Sequence, residues 1–434
     1  MAFDRFTAQA RFDTVIQPGA ISTPPDRLTA RRARRARELT LHALLLAVAV
    51  WVTVAADVVS PGPLGRFSNA HKGNDFVQFY VMASLAGAGT YDALVDEAQF
   101  RNAQSGYIIA GTDVSYPAVY GPHVALSLVP LAWLEYQHAY ALFSAVTLLL
   151  VAFSVWVLWR RSRALHGWGR PTAAIAAAFP PLGYLILNGQ LSALALAALS
   201  LLAAGLSCRS RVVAGLALGL LGYKYSLLVP ALAVCVLAGE WAIATTAVSF
   251  VVLQLLGASP FVGLDVVRDF LENTAAVARN PDVLVRRPFL MGSLRTFWAG
   301  LLPGAPAQLA YAVTAAACVG LGAWAWRRTN DPVCRAGLLS LVIALTAPHF
   351  YLYDLVIVAP AFLASASILL THRRPALRWT SYAAFLAPLA IPATFATGIH
   401  FVTIALVAWF LSLAFHVGWR ERGGANAQEN PLVA

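Results

Sequence analysis

The sequence predicts an all-α integral membrane protein, a polytopic helical bundle, and three observations carry that prediction. Hydrophobic residues make up 59% of the 434 and charged residues only 12%, against about 25% charged in soluble domains. Apolar stretches of roughly 20 residues, each long enough to cross a hydrocarbon core of about 30 Å as a helix, recur across residues 39–419. These stretches are continuous Leu/Ala/Val runs rather than the alternating pattern of roughly ten residues that marks barrel strands. A soluble enzyme, a disordered chain and a β-barrel are thereby set aside.

The formal net charge is +11, which on its own would fit a nucleic-acid partner. The placement of the charges argues against nucleic acid, because the basic residues punctuate apolar spans. All of them are arginine except Lys72 and Lys224. Cys208, Cys235, Cys318 and Cys334 show no paired spacing and read as small apolar fillers.

Residues 1–38 form a basic arm with Arg27, Arg31, Arg32, Arg34, Arg35 and Arg37 just before the first span, and no small-residue cleavage site follows. That pattern is an uncleaved anchor with a cytoplasmic N-terminus. Residues 39–59 then carry the chain outward into a first external loop, 60–118. Further arginine clusters at Arg160/Arg161/Arg163, Arg209/Arg211, Arg327/Arg328, Arg373/Arg374 and Arg420/Arg422 are all expected to be cytoplasmic. Treating 118–134 as half-inserted lets 136–159 run inward and gives a transmembrane domain, 39–419, of about 12 helices. A second large external loop covers 258–303 and a cytoplasmic tail 420–434. The register makes 212–223, 226–238 and 338–347 too short for a full crossing, as broken helices lining a polar cavity would be. It also sends Asp75, Gln190, Lys224, Arg286, Arg287, His349, Tyr353 and Asp354 to the outer face. That convergence suggests one site open to the periplasm.

In the first external loop, Phe76, Phe79, Tyr80, Ala83 and Ala86 recur at helical spacing, which predicts a periplasmic amphipathic helix. A second surface helix is expected over 96–104. Asp75 stands where a helix N-cap belongs. It either caps that helix or serves as a carboxylate able to take a proton from a bound hydroxyl, held ionised by the helix N-terminus.

The order Asp75-Phe76, Phe79-Tyr80, Gly89-Thr90-Tyr91-Asp92, Tyr116-Pro117 and Pro130-Leu131 resembles glycosyltransferase family 87, as do Gly189-Gln190, the glycine-rich run before Lys224, and Ala347-Pro348-His349 with Tyr353-Asp354. The resemblance covers roughly residues 70–370. It implies a GT-C-type membrane bundle that uses a polyprenyl-phosphate-mannose donor, with Asp75 as catalytic base and His349 near the substrates. The sequence departs from the family's pattern where Tyr225 follows Lys224, where Ser192 replaces an asparagine, and where only Gly292-Ser293 survives of an asparagine-glutamine-serine element.

Such a transfer passes through an oxocarbenium-like state in which the lipid phosphate leaves and a carboxylate takes the acceptor proton. One base and one phosphate clamp suffice, so neither a second carboxylic acid nor a metal or other cofactor is expected. Arg286 and Arg287 are candidates for the clamp, since guanidinium forks bind phosphate oxygens, or else they are solvated loop charges. Arg295 is a weaker candidate in the same loop. Lys224 lies between apolar runs where an unpaired ammonium costs about 2.5 to 3.5 kcal/mol; it binds phosphate or snorkels to headgroups. His349 reads as a hydrogen-bond partner of the leaving phosphate or of a sugar hydroxyl, or as a satisfied interfacial histidine. Gln190 pairs with sugar hydroxyls or caps a turn. The reading is therefore an inverting membrane hexosyltransferase, mannose first, acting on a glycolipid or glycan at the periplasmic face of a bacterial inner membrane. A flippase of lipid-linked sugars and a pentosyl (arabinosyl) transferase are the alternatives.

Overall fold

The computed structural model describes residues 27–60, 62, 64–66, 71–108, 116–285 and 287–428. Among the described residues every regular element is a helix, and the β-type pairings are two isolated bridges, Leu64 with His71 and Met291 with Tyr351. Six helices are long and apolar enough to cross a membrane: Ala33–Val59, Tyr136–Arg161, Trp241–Val262, Gly304–Arg327, Leu352–Thr371 and Phe401–Gly418. Six shorter apolar helices accompany them, namely Phe76–Gly87, Pro122–Trp133, Ser192–Ser207, Arg211–Tyr223, Tyr225–Ala238 and Pro332–Thr346. The apolar helices thus fall into two sets of different length, and the shorter set includes those over the three segments expected to be short, 212–223, 226–238 and 338–347. A helix of 16 residues reaches about 24 Å, short of the roughly 30 Å of hydrocarbon.

The two sets also differ in where they sit. The first four long helices have a third or less of their apolar window buried, as helices facing lipid would. Ser192–Ser207 and Pro332–Thr346 are buried on nearly every face, as expected of segments apolar all round. Small residues let these inner helices approach one another. A Cβ on Gly205 would lie 2.6 Å from the Ala214 nitrogen, and one on Gly337 would lie 2.8 Å from the Ala361 Cα. Cys235 and Cys334 are buried fillers, whereas Cys208 is exposed at a helix end.

The segment after the first long helix departs from expectation. Phe76–Gly87 is not an amphipathic surface helix, because Phe76, Val77, Gln78, Phe79, Tyr80, Val81, Met82, Ala83 and Ala86 are all buried. It packs against Pro122–Leu128, Val129–Trp133 and the start of Tyr136–Arg161, with the Phe76 ring among Tyr80, Tyr136, Tyr140 and Phe143. The periodicity of its aromatic residues marks one packing face, and the small and aliphatic residues between them are covered by neighbours far along the chain. Glu97–Ser105 is the surface helix foreseen over 96–104, burying only Phe100 and Gln104. Further along the chain, Leu264–Arg279 buries Val266 and Phe270. Its Asn273 side chain donates to the Val95 carbonyl at 2.7 Å, joining this segment to the one that follows Phe76–Gly87.

Candidate active site

The site begins where three backbone segments meet. The Gly73 amide donates to the Leu187 carbonyl at 3.1 Å and the Asp75 amide to the Asn188 carbonyl at 2.9 Å. The Tyr140 hydroxyl donates to the Ile186 carbonyl at 2.8 Å. These bonds strap the Asp75 turn to the end of the Pro180–Asn188 helix, which closes on Gly189 in the left-handed conformation, φ +70° and ψ +56°. A Cβ on Gly189 would stand 2.6 Å from the Phe76 Cβ. Gly189→Ala is therefore expected to destabilise the fold by about 1 to 3 kcal/mol from backbone strain alone, with overpacking added. Thermal unfolding of the variant checks it; an unchanged midpoint would mean that the strap is not rigid.

Asp75 does not act as a helix cap, since its side chain makes no capping hydrogen bond. Its exposure is only 7%, and its two oxygens are taken by other groups. The Tyr116 hydroxyl donates to Oδ1 at 2.8 Å and the Gln190 amide to Oδ2 at 2.8 Å. The Tyr120 hydroxyl donates to Gln190 Oε1 at 3.4 Å, which orients that amide. Tyr116 in turn is held by the fully buried Gln104, whose amide accepts from the Tyr116 nitrogen at 2.9 Å and donates to its carbonyl at 2.8 Å. Burial raises the Asp75 carboxyl above the ordinary aspartate value, opposed by the bonds from Gln190, Tyr116 and Tyr353 and by the charge of Lys224. Dehydration thus outweighs the stabilisation expected from the helix N-terminus.

A second carboxylate organises the other half of the site. Asp354 has no exposure; its Oδ1 accepts from Ser192 Oγ at 2.6 Å, and its Oδ2 accepts from Lys224 Nζ at 2.7 Å and from the Tyr351 amide at 3.1 Å. Lys224 neither stands unpaired nor snorkels. Its ammonium is an ion-pair partner, 5.8 Å from the centre of the Tyr353 ring. Gln190 links the halves, since its amide also lies 3.3 Å from the Tyr353 hydroxyl.

His349 completes the wall. Its ring meets Tyr351 edge-on at 4.9 Å, and Tyr351 stacks on Tyr353 at 5.5 Å. The His349 loop is tied to the segment before Leu294–Leu301, where the Gly292 amide donates to the Phe350 carbonyl at 3.0 Å. His349 Nδ1 is enclosed without a hydrogen-bond partner. Burial first, then the charges of Lys224 and Arg295, pull its pKa down to about 3. It is neutral at physiological pH and can give or take a hydrogen bond, but it is not a countercharge.

The arginines sort differently from expectation. Arg286 lies outside the described residues, and Arg287 is exposed with no side-chain hydrogen bond or ion pair among them. Arg295, the weaker candidate, is the arginine whose charge, after that of Lys224, reaches His349, and it is anchored by an ion pair to Asp282. Sequence reasoning gave no site role to Gln104, Tyr116, Tyr120 or Ser192. Gln104 left one signal, a glutamine four residues after Phe100 on the only buried face of a surface helix. No three His, Cys, Asp or Glu side chains among the described residues converge to hold a metal ion.

A helical membrane protein with a sequestered carboxylate facing cationic and aromatic side chains has the makings of a group-transfer enzyme. The chain belongs to glycosyltransferase family 87, whose family model matches residues 118–350, more than half of its length. The match includes Gln190, Ser192, Lys224, Arg295 and His349, and it ends short of Asp75, Tyr353 and Asp354. No curated protein and no solved structure matches the chain.

Proposed function

We propose that this glycosyltransferase moves a hexose, mannose first, from a polyprenyl-phosphate-sugar donor to a hydroxyl of a glycolipid or glycan acceptor, with inversion. The observation that carries this reading is Asp75, a buried carboxylate bonded by Tyr116 and Gln190 and, among the described residues, in no ion pair. In the proposed step the acceptor oxygen bonds to the anomeric carbon as the bond from that carbon to the phosphate oxygen breaks. The electron pair leaves with the lipid phosphate, and the acceptor proton passes to Asp75. A raised pKa makes Asp75 a stronger base once it is ionised. Lys224 and Arg295 supply the positive potential for the phosphate, and neutral His349 hydrogen-bonds the phosphate or a sugar hydroxyl. Tyr353 and Tyr351 offer ring faces to the sugar.

Location at the periplasmic face of a bacterial inner membrane, with both termini cytoplasmic, draws support from the helix ends. Ser192 and Lys224 stand at one end of their helices, and Arg209 and Glu240 follow the other ends. The cluster at Arg209 and Arg211 therefore lies at the helix ends away from Lys224 and Asp354, in keeping with the charge rule for cytoplasmic loops.

The test presents purified protein with labelled polyprenyl-phosphate-mannose, polyprenyl-phosphate-arabinose and a lipid and glycan extract. Product from the mannose donor alone, with inverted anomeric configuration by NMR, is expected. Product from arabinose would replace the sugar, and donor movement across vesicles without bond formation would replace the reaction with that of a flippase. The rate is expected to rise with pH through an inflection above the ordinary aspartate value of about 3.9, because the base must be ionised. His349 titrates at about 3 and should add no inflection between about pH 5 and 8. An inflection in that window that disappears in His349→Gln would overturn its neutral role.

A further inference from the structure

At the end of the bundle away from Asp75 lies a polar cavity of about 590 Å³, walled by Ser207, Arg209, Ser210, Arg211, Glu240 and Arg335. The three inner helices that lead to the active site also lead here. Ser192–Ser207 runs from the Asp354 contact to the cavity, Tyr225–Ala238 runs from Lys224 to the turn before Glu240, and Pro332–Thr346 starts at the cavity and ends three residues before His349.

The charges in the cavity do not cancel. Glu240 accepts from Arg211 at 3.1 Å and from Trp326 at 3.4 Å, and it lies 3.5 Å from Arg335. Arg335 is further held by the Thr329 carbonyl at 2.7 Å and sits over the Trp326 ring. One carboxylate thus faces three guanidinium groups. The third, Arg209, is exposed and makes no side-chain hydrogen bond or ion pair among the described residues.

Arg209 is also the only described non-glycine residue with a positive φ, +55°. It occupies the left-handed position of a helix-ending turn in which the Ser210 amide bonds the Gly205 carbonyl at 2.9 Å and the Arg209 amide bonds the Leu206 carbonyl at 3.1 Å. Glycine is the usual residue there. The same chain uses glycine for the same turn at the end of the Tyr225–Ala238 helix. There the Glu240 amide bonds the Cys235 carbonyl at 2.8 Å and the Gly239 amide bonds the Val236 carbonyl at 3.0 Å, with Gly239 at φ +81°. An arginine that bears left-handed strain to reach a cavity with surplus positive charge is a feature that stability does not account for.

We propose that this cavity binds a phosphoryl anion, either the phosphate of an anionic lipid headgroup or a free phosphate compound, with Arg209 as its unengaged fork and Arg211 and Arg335 as the fixed cations. The site is separate from the sugar-transfer chemistry and does not depend on the donor assignment.

The full-length protein is titrated with inorganic phosphate, and separately placed in nanodiscs of phosphatidylcholine with and without phosphatidylglycerol. Wild type, Arg209→Gly and Arg209→Lys are compared by binding and thermal unfolding. Arg209→Gly is expected to unfold at a higher temperature than wild type without ligand, because the strain is relieved, and to bind about tenfold more weakly, as loss of one charge-assisted hydrogen bond implies. Arg209→Lys should keep the charge, the strain and most of the affinity. A response to inorganic phosphate assigns a soluble ligand, and a response to phosphatidylglycerol alone assigns a headgroup. Phosphate at Lys224 and Arg295 would be common to all three proteins, so the difference between wild type and Arg209→Gly is the readout. Equal binding by wild type and Arg209→Gly, or binding of neither probe, overturns the proposal, whatever the outcome of the sugar-transfer assay.

Discussion

Asp75→Asn is expected to lower sugar transfer by about 10² to 10⁴-fold, the range general-base catalysis supplies, without loss of the fold. Asparagine keeps the shape and an oxygen for the Tyr116 hydroxyl, while its amide faces Gln190, whose side chain can turn over to accept. Stability follows from the sign of the pKa shift. Asp75 is raised in the folded state by burial, so its stabilising contribution is present below the unfolded value of about 3.9 and is lost as pH rises through the folded value. Above that value the native state carries a dehydrated carboxylate, and asparagine removes it. At about pH 8 the variant should therefore unfold no earlier than wild type. Product formation and thermal unfolding, measured on the same preparation, check both parts. Undiminished transfer would move the base elsewhere, and a collapsed fold would make Asp75 a structural residue.

Lys224→Met should have the largest effect on stability. It removes the ammonium 2.7 Å from Asp354 and leaves a carboxylate of zero exposure with only the Ser192 hydroxyl and the Tyr351 amide. Breaking a buried pair from one side costs about 3 to 5 kcal/mol, whereas replacing both partners with apolar groups is often neutral. Lys224→Met/Asp354→Leu is therefore expected to recover most of the stability and none of the transfer. A double-mutant cycle by denaturant unfolding reads the coupling. If Lys224→Met alone is as stable as wild type, the two groups are not paired in the membrane.

These two carboxylates show how far the sequence could be read. Its composition and its apolar runs were enough for a helical membrane protein, because burial preference is carried locally by each segment. Lys224 and Asp75 were visible as candidates for the same reason, a charge among apolar neighbours being costly wherever the chain takes it. Their partners were not visible. Asp354 is 130 residues from Lys224, and Asp75 bonds Tyr116 at 41 residues and Gln190 at 115. Choosing between a helix cap and a base needed those partners, since both readings begin with the same residue before the same helix. The Phe76–Gly87 helix was misread as amphipathic because local periodicity reports one packed face and is silent about a second. The arginines could not be ranked from sequence, because two adjacent guanidinium groups in a loop look like a clamp until the loop's course is known, and Arg295 is the arginine whose charge reaches His349.

What the sequence by itself determined is the membrane class, the short inner helices and the family, all properties of segments read one after another. Tertiary structure decided that Asp75 is held by Tyr116 and Gln190, that Lys224 is paired with Asp354, and that Arg209 rather than glycine turns the helix at the far cavity. Hydropathy is summed along the chain, whereas a buried charge is stabilised only by the group that meets it in space, and that meeting exists only once the chain has folded.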